Sequence, residues 1–225
     1  MVSQPANPAG PSSRQRLLDA AAHEFAARGF DGAKVDRIAA RARVNKAMVY
    51  YHFRSKADLY RAILTELFRS MTAAVSGSRD AAAAPEDQIR VYIRTIAARM
   101  TARPHYPAIW LREMAEGGRH VDASIVTELG QVLGVLDGIL KAGREQRVFR
   151  EANTLVTQMG IVGPLLLFAV SAPARERFRK AVPGVTPVVS SQAMVAHIET
   201  ATLAALTTNG SPRSGRGLDR RSPRQ

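Results

Sequence analysis

One segment, residues 35–56, constrains the fold more than any other part of the chain. Its sequence, VDRIAARARVNKAMVYYHFRSK, contains two short helical patterns separated by a tight turn. Apolar residues recur at helical spacing on both patterns and would face one common core: Ile38, Ala39, Ala42, Val44, Val49 and Phe53. This arrangement predicts a helix-turn-helix.

The second helix of this motif, residues 45–52, has the composition of a recognition helix. Asn45 is placed to cap it, because its side-chain oxygen can accept a hydrogen bond from a free backbone N–H. The outward face presents Lys46, Tyr50, Tyr51 and His52. A short helix with an apolar back and a basic, aromatic front fits the major groove of B-DNA.

The segment from Arg16 to about Leu64 resembles the TetR family of bacterial transcriptional regulators. The sharpest match is Val49 to Leu59, VYYHFRSKADL, which is similar to the family's LYYHFxSKxxL signature. The resemblance implies an all-α homodimer with an N-terminal three-helix helix-turn-helix domain and a C-terminal helical bundle for ligand binding and dimerisation. It also implies an operator in double-stranded DNA, a small-molecule effector and no cofactor.

Three positions depart from the family pattern. Arg43 stands where the family usually has Gly in the turn, so a residue with a side chain must adopt an awkward backbone there. Lys34 and Val35 replace the usual Thr or Ser at the start of the first motif helix, which then has no hydroxyl cap. Ala47 stands where Gly is common.

The resemblance also implies which residues contact DNA. Four match positions that meet base edges or nearby backbone: Lys46, Ala47, Tyr50 and Tyr51. Three match phosphate-facing positions: Met48, His52 and Lys56. Apart from the resemblance, Lys34 and Arg37 lie at the start of the first motif helix and could contact the flanking DNA backbone, and we count Asn45, the cap, among the DNA-binding residues. Lys56 would meet a phosphate at a helix N-terminus. Two alternatives stay open, since Tyr50 could be a packed ring with one polar contact and His52 a plain surface histidine.

The distribution of charge agrees with binding to a polyanion. The net charge is +13, and residues 1–70 hold 12 Lys/Arg against 6 Asp/Glu. A basic segment that includes a helix-turn-helix is typical of DNA-binding proteins, although general arginine richness would also make a protein basic. The chain has no Cys, which suits a reducing compartment, and we expect a cytoplasmic protein.

Periodicity and helix-breaking residues divide the chain into nine predicted helices and no strand. We expect a disordered arm at 1–12, the helix-turn-helix domain at 13–58, an effector-binding and dimerisation domain at 75–208, and a disordered basic tail at 209–225. The helix at 56–74 would connect the two domains. The later helices are predicted at about 86–102, 107–116, 121–143, 151–171 and 187–207, with a basic loop at 175–180.

The helix at 151–171 is apolar on nearly every side from Leu155 to Val170. A helix of this kind is buried all round or lies in a membrane. Its uninterrupted apolar run is shorter than the ~20 residues that a membrane span needs, so we expect no membrane partner. Instead we predict that the last two helices, the eighth and ninth, form a four-helix interface in a homodimer.

Several large residues of the second domain could line an effector cavity between its helices: Met100, His105, Tyr106, Trp110, Met114, Met159 and Phe168. Each could equally be an ordinary core residue. Arg99, Arg103 and Arg112 could orient an anionic group of the effector, although arginines are common throughout the chain.

Catalysis finds little support in the sequence. The five histidines are scattered, and the chain has no Gly-rich phosphate loop, nucleophile elbow or HExxH motif. Glu113, Glu116 and His120 have a spacing that approaches a metal site, but Gly117 and Gly118 would break the helix between them, so we predict no metal. We therefore predict a homodimeric, ligand-responsive repressor. The alternatives are an enzyme or ligand carrier with a vestigial helix-turn-helix, and an architectural protein that binds DNA without sequence choice.

Overall fold

The computed structural model describes residues 12–182, 184 and 188–207, and within these ranges the fold is all-α. Ten helices occur there: α1 Ser13–Gly32, α2 Val35–Ala42, α3 Lys46–His52, α4 Lys56–Gly77, α5 Pro85–Ala102, α6 Tyr106–Ala115, α7 Ala123–Glu145, α8 Thr154–Val170, α9 Ala172–Ala181 and α10 Ser191–Leu206. The expected basic tail at 209–225 and the expected arm, apart from Ser12, lie outside the described residues.

The prediction of a loop at 175–180 is wrong, because these residues belong to helix α9. Hydrophobic periodicity missed this helix since none of its residues is buried. Its support comes from Pro173 near its start and from side-chain pairs one turn apart. Glu176 accepts from Arg179 at 2.6 Å and lies 3.4 Å from the Lys180 ammonium.

Helices α1 to α3 form the helix-turn-helix around one buried cluster. Ile38 of α2 and Val49 of α3 are almost fully buried against Leu17 and Phe25 of α1. Arg43 adopts the left-handed conformation, with φ 55° and ψ 47°. The following N–H, of Val44, donates to the Ala39 carbonyl at 3.1 Å, which is a Schellman close of α2.

Helix α4 belongs to two buried clusters. Its first half, with Leu59 and Ile63, packs in the helix-turn-helix cluster, whereas Met71 and Val75 pack with α5, α7, α8 and α10. Helix α6 and the first turn of α7 also enter the first cluster, through Tyr106, Ile109 and Ile125. The helix-turn-helix core therefore extends beyond the segment 13–58.

The start of α4 carries a variant of the capping box. The Asp58 N–H donates to the Ser55 hydroxyl oxygen at 3.0 Å. The Asp58 carboxylate, however, accepts from the Ser55 hydroxyl at 2.9 Å rather than from its backbone N–H. The cap thus closes through the two side chains.

Two helical segments are apolar enough to be compared with membrane spans. Helix α7 qualifies by length and composition, and α8 qualifies only together with α9, from which it is bent by 59°. Buried residues of α7 such as Leu136 and Ile139 pack in the second cluster, as expected of a core helix in a bundle.

Helix α10 is joined to α5 by Arg94, whose guanidinium donates to the buried Glu199 carboxylate at 2.7 and 3.0 Å.

We predict that Arg43→Gly raises the free energy of unfolding by about 0.5–1 kcal/mol, because the left-handed conformation costs a residue with a side chain about 1–2 kcal/mol. Urea unfolding followed by circular dichroism measures it. Arg41→Gly is the matched control, since Arg41 lies inside α2 and the same change there should cost about 1 kcal/mol. Two losses of equal size would contradict the backbone argument.

Candidate nucleic-acid interface and ligand cavity

Helix α3 presents a polar and aromatic face to solvent. The predicted cap is confirmed, since the Asn45 side-chain oxygen accepts from the Ala47 N–H at 3.0 Å. Val49 of α3 and Phe53, which directly follows the helix, are buried. The opposite face of α3 therefore points to solvent. Lys46 and Ala47 are exposed and Met48 is partly exposed. Tyr50 and Tyr51 are 49% and 79% exposed, large fractions for aromatic side chains.

Contacts with the start of α1 hold the end of α2 and the end of α3 in place. His52 Nε2 lies 2.8 Å from the Ser13 hydroxyl oxygen. The Arg14 guanidinium lies over the Phe53 ring, 5.2 Å from its centroid, and Arg16 Nε donates to the Ala42 carbonyl at the end of α2 at 3.3 Å. His52 is therefore more than a plain surface histidine, because it connects the two helix ends.

A buried carboxylate organises the start of α2. Glu24 of α1 is only 7% exposed, and its Oε1 accepts from Arg37 Nε at 2.5 Å and from the Lys34 backbone N–H at 3.4 Å. Arg28 Nε lies 3.4 Å away. Burial alone would raise the pKa of Glu24, but these donors outweigh it and hold the pKa below its usual value.

Three of the predicted phosphate-binding and base-binding cations have partners within the protein. Arg37 also donates to the Gly32 carbonyl at 2.8 Å. The Lys56 ammonium donates to the carbonyls of Phe30 and Ala33 and lies 4.5 Å from the centre of the Phe30 ring. Lys46 pairs with Asp36 at 2.8 Å across the motif, and this hydrogen bond raises the pKa of the Lys46 ammonium.

These partners assign different tasks to the three cations. Arg37 and Lys56 join α2 and α4 to the last turn of α1 and to Ala33 after it, so they stabilise the domain. The Lys46–Asp36 pair is exposed on both sides, and exposed pairs contribute little to stability, so a phosphate or base can displace Asp36 at little cost. Lys34 is exposed.

Three exposed arginines beside the motif were not among the predicted DNA contacts. Arg41, Arg43 and Arg54 flank the turn and the end of α3. No ion pair is found for them among the residues that the structure describes. Their position next to the recognition helix was the signal that could have identified them.

A cavity of about 390 Å³ lies between α4, α5, α6, α7 and α8. This volume falls near the lower end of the ~300–1,000 Å³ range of small-molecule sites. Five of the predicted effector residues line it: Met100, Tyr106, Trp110, Met114 and Met159.

The other two predicted effector residues lie elsewhere. The His105 ring packs edge-on against His23, with centroids 5.0 Å apart, and burial followed by repulsion from His23 lowers the pKa of His105. The Phe168 ring lies under the Arg175 guanidinium at 3.8 Å. Each lies within two residues of a cavity-lining residue in the sequence. Its place on the helix, however, brings its side chain against a different neighbour. The prediction that they line the cavity is wrong.

The polar lining of the cavity includes Arg99, Arg103 and Gln158. Arg99 Nε is buried and has no hydrogen-bond partner in the part of the chain that the structure describes. Arg103 makes a long contact to Asp19, 3.4 Å, and the Gln158 side-chain oxygen accepts from the Tyr92 hydroxyl at 2.9 Å. Arg112, the third arginine considered from the sequence, does not line the cavity.

Glu113 and His120, two of the residues considered for a metal, contact each other directly. Glu113 is fully buried and accepts from the His120 backbone N–H at 2.6 Å, while its other oxygen lies 3.0 Å from His120 Nδ1. Glu116 pairs instead with Arg119. The described part of the chain contains no cluster of three or more His, Cys, Asp or Glu that could hold a metal ion.

A helix-turn-helix packed on a helical bundle with an internal cavity defines a class of DNA-binding regulators, and comparisons identify the family. Residues 17–63 match the family model described as bacterial regulatory proteins, tetR family. By this segment the chain is similar to TetR-family regulators. The resemblance and the all-helical fold expected from the sequence are thereby confirmed.

Individual relatives extend this similarity beyond the motif. The repressor NicS of Pseudomonas putida is 30% identical over 62% of this chain and 66% of its own length, so the chain spans just under two thirds of that relative. The regulator SrpR of Pseudomonas putida is 25% identical over 68% of this chain and 85% of its own. A tetR-family regulatory protein from Rhodococcus RHA1 has the same fold, with a TM-score of 0.72 at 18% identity over 88% of this chain and 98% of its own.

We predict that Glu24→Gln lowers the free energy of unfolding by about 1–2 kcal/mol at pH 7, because it removes a buried acceptor that is bonded to a cation. A carboxyl whose pKa is lowered on folding stabilises the fold above its unfolded pKa, near 4.5, and loses that effect as the pH falls through its folded pKa. The difference between wild type and variant should therefore be constant from pH 7 to 5 and narrow below about 4.5. Asp36→Asn, which alters an exposed pair, should change stability little.

Urea unfolding at a series of pH values measures this difference. A gap between wild type and Glu24→Gln that stays constant down to pH 3 would show that Glu24 is not the stabilising carboxylate.

Proposed function

We propose that this protein is a homodimeric transcriptional repressor that binds a palindromic operator and is released from it by a small-molecule effector. The observation that supports DNA binding best is the exposed face of α3, with Tyr50, Tyr51 and Lys46 outward on a helix whose apolar back is buried. We propose direct contacts to DNA for these residues and for Ala47, Met48 and Lys34. Arg37, Asn45, His52 and Lys56 position the helices, and we propose that they also contact the DNA backbone.

Exposed apolar residues of α8 support dimerisation. Val156 and Leu167 are 66% and 63% exposed, and a Cβ added at Gly160 or Gly163 would meet nothing within 4 Å. Helix α10 packs beside α8. An apolar helix face with bare glycines allows close approach of a second copy, and two such helix pairs form a four-helix interface. These are the two helices predicted from the sequence.

The shared elements α4 and α6 support ligand response. Leu67, Phe68 and Met71 of α4 line the cavity, while the first half of the same helix packs in the helix-turn-helix core. An effector in the cavity can change DNA affinity only by as much as its own affinity differs between the two arrangements of these helices. The dimer spacing of the two recognition helices is the quantity that such a change would alter.

Repression, rather than activation, follows the relative NicS, which is named a repressor. A cytoplasmic location is consistent with a DNA-binding protein. The rival functions make different predictions. A ligand carrier or enzyme with a vestigial motif would not bind DNA, and an architectural protein would bind random DNA as tightly as any selected site.

DNA-binding assays on variants test the recognition helix. A binding site is first selected from a random DNA library with the full chain. Tyr51→Ala should then reduce the preference for that site over random DNA by roughly 5- to 150-fold, because a base contact contributes ~1–3 kcal/mol. Lys34→Ala should weaken both affinities alike and reduce the salt slope by about one. Wild-type behaviour of both variants would refute the interface.

Sedimentation velocity tests the dimer. We expect Val156→Glu to convert the protein to monomers at micromolar concentration, because a carboxylate would be buried unpaired between two copies. Val126→Glu is the matched control, since Val126 of α7 is similarly exposed, at 56%, and lies outside the proposed interface. A wild-type protein that is monomeric, or a variant that remains dimeric, would exclude this interface.

A further inference from the structure

The charged groups at the cavity are of one sign. Arg99 and Arg103 line it, and none of the described residues that line it is Asp or Glu. Gln158 uses its side-chain oxygen to accept from Tyr92, which leaves its amide nitrogen as a donor. The polar groups available to a ligand are therefore mainly hydrogen-bond donors, in a wall that is otherwise apolar.

Arg99 has an unsatisfied hydrogen-bonding group at this position. Its Nε is buried and has no partner among the described residues, although a buried N–H of a charged group is costly to leave unpaired. A ligand oxygen is the acceptor that would satisfy it. A neutral amphiphile would leave the positive charge uncompensated, and a cation would be repelled by both arginines.

The net charge near these arginines favours a single negative charge on the ligand. Arg103 already has a carboxylate nearby, Asp19 at 3.4 Å, and its guanidinium lies 5.7 Å from the centre of the Tyr106 ring. Arg99 forms no ion pair within the described ranges, so about one positive charge remains there without a counterion. A dianion would bring a second charge into an apolar space, and an uncompensated charge there is strongly unfavourable.

We propose that the cavity binds an amphiphilic monoanion, a carboxylate with an apolar body, whose oxygens accept from Arg99 and Arg103 while the body lies against Phe68, Trp110 and Met159. This inference rests on the proposed function in that it names the class of the effector. The carboxylate lies at the α5 side of the cavity, and the body touches α4, α6 and α8.

The only tryptophan of the chain, Trp110, lines the cavity, so its fluorescence reports binding directly. We expect sodium decanoate, added to the full-length protein, to change this fluorescence saturably and to bind at least about tenfold more tightly than 1-decanol, as a charge-assisted hydrogen bond would give. Decyltrimethylammonium, with the same chain length and the opposite charge, should give no saturable change. Equal binding of decanol or the ammonium, or no binding of any of the three, overturns the proposal.

Arg99→Gln tests the residue. It should reduce the affinity for decanoate about tenfold and leave that for decanol unchanged, so that the preference for the anion disappears. Arg112→Gln, which removes an arginine outside the cavity, should keep the preference. A preference that survives in Arg99→Gln overturns the assignment. Circular dichroism checks that Arg99→Gln folds. If it does not fold, the loss of the preference for decanoate in Arg103→Gln, together with the ligand series on the wild-type protein, tests the proposal instead.

A separate measurement distinguishes this inference from the proposed function. Decanoate is added to the complex of the protein with its selected DNA site. Binding with the expected preference but without any change in DNA affinity would refute the ligand response and support the anion site. DNA release by decanol or the ammonium, without a preference for decanoate, would support the ligand response and refute the anion site.

Discussion

The packing of α6 between the helix-turn-helix and the bundle is the constraint on which the rest of the structure depends. Tyr106 and Ile109 are buried in the helix-turn-helix cluster, and one turn further on the Trp110 ring meets Phe68 of α4 edge-on, with centroids 4.7 Å apart. The same short helix therefore forms part of the core under the recognition helix and part of the cavity wall. Because protein interiors are close-packed, α6 cannot move at one end without disturbing the other.

Buried polar groups reinforce this arrangement where apolar packing alone would leave the helices free to slide. Glu24 accepts hydrogen bonds from Arg37 and from the Lys34 N–H at the start of α2. Glu113, near the end of α6, accepts from the His120 N–H in the connection to α7. Burial raises the pKa of Tyr60, and so do the negative charge of Glu113 and the hydrogen bond that the Tyr60 hydroxyl donates to its carboxylate. Satisfied buried networks of this kind favour one arrangement over others, which suits a domain whose orientation determines what it can bind.

The sequence predicted those parts of the structure that depend on neighbouring residues. Val49 and Phe53 revealed the buried face of α3 by their spacing, and Asn45 revealed its cap. Contacts between distant residues could not be predicted: the Lys56 ammonium reaches the Phe30 carbonyl, and His52 reaches Ser13, and no local pattern encodes either. Helix α9 was missed since it buries nothing. Five of the seven large residues predicted to line the cavity do so. The sequence could not distinguish His105 and Phe168 from these five, because the rotation of each helix about its axis depends on contacts with distant residues. Which residues touch DNA stays a prediction.

Helix α8 has a further consequence because it serves two surfaces. Leu155 and Met159 line the cavity, and Val156, one position away, points outward on the face proposed for dimerisation. The neighbouring α10 is tied by Glu199 to Arg94 of α5, another wall of the cavity. The proposed effector site and the proposed dimer face thus share the same helices, and any coupling between occupancy and association would be reciprocal. The apparent affinity for a small molecule would consequently vary with protein concentration, and the abundance of the regulator in the cell would help to determine the effector level at which it responds.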